Sequence, residues 1–421
     1  MQALYLCGGH VVLPDRVVPD GSVFMEDGRI AAVNAPRPEH VPALDVGGGY
    51  ILPGFLDIHV HGGGGADCMD ASVQAFHQIA CAHAAHGTTA LVATTMTCED
   101  PLLERVIACY LEAERTQYTG AQLLGLHLEG PFFSAGSPNA RGAQPVTRNR
   151  TPSREELERI IGLGQGRILR WDASPEIGNM PLFAQVMREN GILAAVAHTQ
   201  ADAQTAMAAY DCGFAHATHF YNAMSTFHKK NGRVYAGVIE ATYLREEVTI
   251  ELIADGKHVP RESMQLAWRI KGADRICLIT DAMRASGTAQ KRSVLGPREG
   301  GVPVVIHDGV AQLTDFSSYA GSIGTMDRAL RVAHVQNGLP LTDVCRMLSL
   351  TPARLCGLSA RKGSLEAGKD ADIVVMTPDF RVSHVFLCGR RFEAAFPVRE
   401  GGEIRRKEEE EDETQERCKQ R

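Results

Sequence analysis

The sequence predicts a (β/α)8 barrel with a small β-sandwich domain built from both chain ends, and three observations predict it. Apolar, strand-like runs alternate with helix-patterned segments through the middle of the chain. The two flanks are rich in short strands. Side chains able to bind a metal fall at the C-terminal ends of several of the runs.

The runs come first. Phe55–Val60, Thr89–Thr95, Leu123–Leu128, Arg167–Ser174, Ile192–Ala197, Phe214–Phe220, Val248–Ala254 and Ile276–Thr280 are short and apolar, as buried parallel strands are. Segments with helical spacing separate them, among them Val73–Ala85, Leu102–Arg115, Pro181–Asn190 and Ala201–Tyr210. Glycines at 87, 191 and 213 supply stops, since glycine readily takes the left-handed conformation that ends helices. Eight strands alternating with helices fit a closed barrel. An open doubly wound sheet is the rival, but no G-x-G-x-x-G follows the first strand.

Outside the barrel, Val11–Leu13, Ser22–Met25 and Arg29–Val33 read as strands, with Asp27-Gly28 as a hairpin turn. Ala371–Met376 and Val382–Leu387 read the same way. The expected organisation is residues 1–53 and 361–400 as the two parts of the small β domain, 54–360 as the barrel, and 401–421 as a disordered tail. That tail carries the acidic run Glu408–Glu413 and few apolar side chains.

Composition narrows the class. The 421 residues are 44% hydrophobic and 22% charged, ordinary for a globular protein, with a formal net charge of -7. No basic patch supports nucleic-acid binding, and no apolar run approaches the roughly 20 residues that span a bilayer. Met1–His10 lacks a basic stretch leading into a sustained apolar one, so no secretory signal is expected. The 11 cysteines are scattered without a C-x-x-C pair, which points to reduced thiols and a cytoplasmic protein.

The chemistry sits at strand ends. His59 and His61 close the first run, Glu129 the third, His198 the fifth, His219 the sixth and Asp281 the eighth. In a barrel these ends form one rim, so residues far apart in sequence converge there. Histidines at i and i+2 on a strand point to the same side. Imidazoles and carboxylates are ligands for zinc, iron and similar divalent ions. Taken singly, each has a plain structural reading: a hydrogen-bonded histidine, a paired Glu129, or Asp281 as a helix cap. Six such residues on five strand ends favour a metal site. His10, His40, His77, His83, His86, His307 and His334 fall in loops or helical runs and are read as structural. So are His127 and His216, which precede the strand-end positions.

Pro53-Gly54-Phe55-Leu56-Asp57-Ile58-His59-Val60-His61-Gly62 resembles the opening motif of the amidohydrolase superfamily. His127-Leu128-Glu129-Gly130-Pro131-Phe132, with Ala217-Thr218-His219-Phe220-Tyr221-Asn222-Ala223-Met224, is similar to the N-acetylglucosamine-6-phosphate deacetylase family. The likeness continues through Ala197-His198-Thr199, Ala254–Val259, Thr280-Asp281-Ala282, Ala320-Gly321-Ser322 and Gly363–Asp372. It implies one or two divalent ions (zinc, iron or manganese), with Glu129, His198 and His219 on the main one. His59 and His61 would hold a second, Glu129 could bridge, and Asp281 matches the general acid/base.

The resemblance also implies an amino sugar phosphate as substrate and a homodimer as assembly. It places Ala143, Asn222, Ala223, His258, Tyr319, Ala320 and Gly321 around the sugar phosphate. Two departures stand out. Gln144 occupies a position where many members carry a histidine that polarises the carbonyl, a role the second metal could cover. His228–Arg233 replaces the phosphate segment, leaving Lys230 and Arg233 open to phosphate contact or plain solvation. The expected reaction is removal of the acetyl group from N-acetylglucosamine 6-phosphate. Another N-acyl sugar phosphate, such as the galactosamine epimer, and a non-catalytic protein on the same fold are the alternatives.

Overall fold

The computed structural model describes residues 3–134, 138–145 and 150–393, the side chains of residues 138, 139 and 230 excepted. The expected tail 401–421 and the end of the second flank, 394–400, lie outside the described residues.

Each of the eight apolar runs coincides or overlaps with a barrel strand: Phe55–Val60, Thr88–Thr94, Gln122–Glu129, Ile168–Ala173, Leu193–Val196, His216–Ala217, Thr249–Ile253 and Ile276–Ile279. They pair in chain order, all parallel. Eighth and first strands then meet at the rim. Asp281 N–H donates to the His59 carbonyl at 3.0 Å and His61 N–H to the Ala282 carbonyl at 2.9 Å. Below, Asp57 clasps the same seam, accepting from Thr280 Oγ1 at 2.6 Å and from the backbone of His59 and Thr280. Burial dominates this carboxyl and raises its pKa to about 7.

Helices cover the outside where the spacing predicts them, at Val73–Ala84, Asp100–Arg115, Met180–Glu189 and Ala203–Cys212. Ser72 and Asp202 cap two of them by accepting the N–H three residues on. Their inner faces pack on the strands through large buried side chains such as Phe76, Tyr110 and Phe183, the last against Trp171 of the fourth strand.

The flanks join into one eight-stranded sheet, in which Tyr50–Pro53 pairs with Ile373–Met376 and so ties the two chain ends together. Its core comprises Leu6, Val23, Met25, Ile51, Ile373 and Phe386. Where short strands are expected, Ala3–Val12 and Val17–Glu26 are continuous ten-residue strands. Register shifts around Gly9 let the pair bend without ending. His10 and His307 accordingly lie in strands, not in loops or helical runs.

Among the described residues three small sheets leave the rim: the pair Gly62–Gly63 with Ala66–Asp67, a hairpin of His228–Lys230 with Arg233–Tyr235, and a three-stranded antiparallel sheet at Arg292–Leu295, Val302–His307 and Val310–Leu313.

Candidate metal centre

His59 and Glu129 sit at the ends of their strands, but the rest of the rim is built from turns. His198, His219 and Asp281 each stand two residues beyond a strand and take left-handed backbone conformations, with φ of 45°, 32° and 49°. Such conformations cost about 1–3 kcal/mol each and persist where surrounding contacts impose them. Ser174 Oγ donates to the His198 carbonyl at 2.6 Å, and Ser322 N–H donates to the Asp281 carbonyl at 2.7 Å. Gly130, at φ 100°, turns the chain directly after Glu129, and a Cβ there would fall 2.2 Å from Thr97 Oγ1.

These turns bring all six strand-end residues together. Glu129 is the centre, 2% exposed. Its Oε1 lies 2.9 Å from His198 Nε2 and 3.1 Å from His219 Nε2, and these two nitrogens are 3.1 Å apart. Its Oε2 lies 3.2 Å from His61 Nε2, which is 3.3 Å from His59 Nε2. Two groups, His59–His61–Glu129 and Glu129–His198–His219, therefore each gather three potential ligand atoms within 4.8 Å. Asp281 Oδ1 faces the first, 3.2 Å from His61 and 3.5 Å from His59.

The donor chemistry fits a cation. His198 Nδ1 lies 2.8 Å from the Ala140 carbonyl and His219 Nδ1 3.1 Å from the Asn222 carbonyl. A carbonyl only accepts, so both Nδ1 atoms carry a proton. Two Nε2 lone pairs then converge on a carboxylate oxygen, which a proton or a metal ion must reconcile. The wider charge balance agrees. Glu129, Asp172, Glu251 and Asp281 are buried beside one buried guanidinium, Arg170, an excess of negative charge that divalent ions would offset.

Local titration follows the same logic. Burial favours a neutral Glu129, but hydrogen bonds from His198, His219 and His61 outweigh it and hold the carboxyl well below its ordinary range. Burial opposes charge on His61 as well, yet Asp281 and Glu129 keep it well above its usual value. For His219, burial is again outweighed, here by Glu129, and the pKa rises to about 9. The carboxylates draw positive charge into the centre.

The expected substrate residues divide. Asn222 and Ala223 wrap the histidine turns: Asn222 N–H donates to the His219 carbonyl at 2.9 Å, and the Ala223 carbonyl accepts from Thr199 N–H at 3.0 Å. Ala143 follows Gly142, where a Cβ would meet His198 and Ala223 at 3.7 and 4.0 Å. His258 is held by Asp255 at 2.9 Å and packs edge-on against Tyr319, centroids 4.8 Å apart. Ala320 is buried, and Gly321, at φ 64°, lies against the Asp281 carbonyl. Arg233 is exposed on the outlying hairpin, and the Lys230 side chain lies outside the described residues.

Gln144 is committed elsewhere than to a substrate carbonyl. Its Nε2 donates to Glu129 Oε2 at 2.7 Å and its Oε1 accepts from Thr97 N–H at 3.1 Å. His127 and His216 stand outside both three-residue groups. His127 Nε2 lies 2.8 Å from Asp172, and His216 Nδ1 lies 2.7 Å from Thr249 Oγ1. Sequence reasoning missed Arg170, Asp172 and Glu251. The available signal was a charged residue inside an apolar strand run, as in Thr249-Ile250-Glu251-Leu252-Ile253.

Paired imidazole–carboxylate groups at the C-terminal rim of a parallel barrel define a metal-dependent hydrolase class, and the chain belongs to the amidohydrolase family, whose model matches residues 50–392. More particularly, it is similar to the N-acetylglucosamine-6-phosphate deacetylase of Bacillus subtilis, 34% identical over 94% of this chain and 97% of the relative. It is also similar to the N-acetylgalactosamine-6-phosphate deacetylase of Escherichia coli O157:H7, 32% identical over 88% of this chain and 94% of that relative. Among solved structures, a mutant N-acetyl-D-glucosamine-6-phosphate deacetylase of Mycobacterium smegmatis, in complex with N-acetyl-D-glucosamine 6-phosphate, superimposes with a TM-score of 0.85. It is 30% identical, and the match covers 93% of this chain and 100% of that one.

Proposed function

We propose that this chain hydrolyses the acetamide of N-acetylglucosamine 6-phosphate, yielding glucosamine 6-phosphate and acetate. The observation that carries the reading is the pair of three-residue groups sharing Glu129, with Asp281 beside them, in a chain similar over nearly its whole length to deacetylases of that name. Glu129, His198 and His219 would hold one divalent ion, and His59, His61 and Glu129 a second. Zinc, iron and manganese all suit such ligands. When bound, the metal supplies Lewis-acid activation of water and of the amide carbonyl.

The chain's own residues handle the proton. Burial acts to raise the Asp281 pKa, but the neighbouring imidazoles of His59 and His61 outweigh it and hold the pKa low. The ionised carboxylate accepts a proton from the attacking water and returns it to nitrogen as the carbon–nitrogen bond breaks. The second proton of the water leaves the carboxylic acid product for the amine, so the products are acetate and the protonated amine. Asn222, Ala223, His258 and the Tyr319–Gly321 turn would orient the sugar. Lys230 and Arg233 would meet its phosphate as charges carried on the hairpin.

The galactosamine epimer is a second reading, favoured by the similarity to a relative of that name. Comparing kcat/KM for the two N-acetylhexosamine 6-phosphates and their unphosphorylated forms decides. A preference for the gluco epimer supports the first reading, and a preference for the galacto epimer replaces it. A non-catalytic role has no use for so complete a set of ligands.

The same reading keeps a catalytic barrel over 54–360 and a cytoplasmic homodimer. Ten free cysteines among the described residues support a reducing compartment. Phe227 and Val234, 60% and 54% exposed on and beside the hairpin, offer apolar surface for a subunit contact. No helix among the described residues is long and apolar enough to cross a membrane.

A further inference from the structure

Beneath the centre lies a charged pair that none of the sequence motifs contains. Glu251, on the seventh barrel strand, is 0% exposed, and Arg170, on the fourth, is 3% exposed. The guanidinium grips the carboxylate with two nitrogens: Nη1 donates to Oε1, and Nη2 to Oε2 at 3.2 Å. The remaining capacity of Oε2 is directed upward. It lies 3.1 Å from His59 Nδ1 and accepts the His219 backbone N–H at 3.2 Å. One carboxylate oxygen thus touches a histidine from each of the two three-residue groups.

The histidines differ in what orients them. His198 and His219 direct Nδ1 at backbone carbonyls. His61 Nδ1 has no hydrogen-bond partner among the described residues. Of the four, His59 is the one whose Nδ1 faces a carboxylate. Arg170 Nη2 also lies 3.4 Å from His59 Nδ1, but the carboxylate is nearer and only accepts, which favours the proton on Nδ1 and leaves Nε2 as a lone pair. That Nε2 is the atom 3.3 Å from His61 Nε2 and 3.5 Å from Asp281.

We infer that Glu251, held in place by Arg170, is a positioning residue that fixes His59 as a metal ligand and sets the occupancy of the His59–His61–Glu129 group. The inference rests on the two-ion reading above. With Glu251 altered, that group loses the one carboxylate that meets an Nδ1 of its imidazoles among the described residues, whereas the Glu129–His198–His219 group keeps both carbonyl anchors. Loss of such a partner typically weakens metal binding about 10–100-fold.

The test is zinc titration of metal-stripped wild type, Glu251→Gln and Glu251→Asp by equilibrium dialysis, with elemental analysis for ions per chain. Wild type is expected to bind two ions. Glu251→Gln should bind one unchanged and the other about 10–100-fold more weakly, and Glu251→Asp, which keeps the charge, should recover part of the loss. Two ions with unchanged affinities in Glu251→Gln would overturn the inference and leave the two-ion reading standing. A single ion in wild type would overturn that reading and the inference with it. Should Glu251→Gln fail to fold, nitrogen-15 NMR of imidazole-labelled wild type decides alone, with His59→Gln identifying the signal: His59 is expected as the Nδ1–H tautomer, and an Nε2–H tautomer refutes the assignment.

Discussion

Replacing Asp281 by asparagine separates chemistry from structure, because the site makes unusual demands on that residue. Its φ of 49° lies in the left-handed region, which asparagine tolerates better than any other residue except glycine. The backbone contacts that define the turn, from Asp281 N–H to the His59 carbonyl and from Ser322 N–H to the Asp281 carbonyl, do not involve the side chain. Stability should therefore change little, whereas Asp281→Ala adds about 1–2 kcal/mol of backbone strain. The carboxylate is also absent from both three-residue groups, so metal content should hold. What disappears is the proton acceptor. General acid–base groups contribute about 10²–10⁴-fold, or roughly 3–5.5 kcal/mol of barrier. Acetate release under saturating substrate, elemental analysis and thermal melts on the same preparation provide the assay. The expected result is a kcat lowered by about 10²–10⁴ with metal and melting temperature unchanged. An Asp281→Asn protein that keeps its metal and turns over within a few-fold of wild type refutes the assignment.

Three further outcomes follow from the same geometry. Gly321→Ala should destabilise by about 1–2 kcal/mol and lower kcat by about tenfold, because a Cβ there lies 3.1 Å from the Asp281 carbonyl and 3.3 Å from Met283 Cβ at φ 64°; wild-type turnover in this variant would detach the turn from the site. His83 is buried, and desolvation lowers its pKa from 6.5 to about 4 against a hydrogen bond to Gly62. The unfolded chain takes up this proton first, so stability is intact above pH 6.5 and is lost as pH falls toward 4, by about 2 kcal/mol at pH 5. Denaturant midpoints at pH 7.5 and 5 should thus diverge more for wild type than for His83→Gln, and equal divergence counts against the assignment. Finally, chelation should lower the melting temperature and added zinc restore it, since an ion bound only by the folded state stabilises it by about 4 kcal/mol at 1,000 times its Kd; a melt indifferent to chelator would argue against a metal in this centre.

The barrel was legible because its strands are buried and read as short apolar runs, and because glycines punctuate the helices between them. The site was legible because a barrel gathers strand ends: placing His59, His61, Glu129, His198, His219 and Asp281 on those ends was enough to predict their convergence. Other features were hidden for physical reasons. Gly8 and Gly9 break the apolar pattern of Ala3–Val12 without breaking the strand. The antiparallel sheet over 292–313 is only half-buried, and its apolar run Val302–Ile306 carries Pro303, which reads against a strand. Spacing alone gives no partner for Arg170 or Glu251, which meet across the barrel interior from its fourth and seventh strands. Gln144 reads as a missing histidine in sequence, but in three dimensions it is a hydrogen-bond donor to Glu129.

The most direct measurement is acetate release from N-acetylglucosamine 6-phosphate by protein stripped of metal and then reloaded separately with zinc, iron(II) or manganese. The account predicts that stripped protein is inactive and that at least one metal restores acetate and free amine in equal amounts. Undiminished release by stripped protein, or none with any metal, would contradict it.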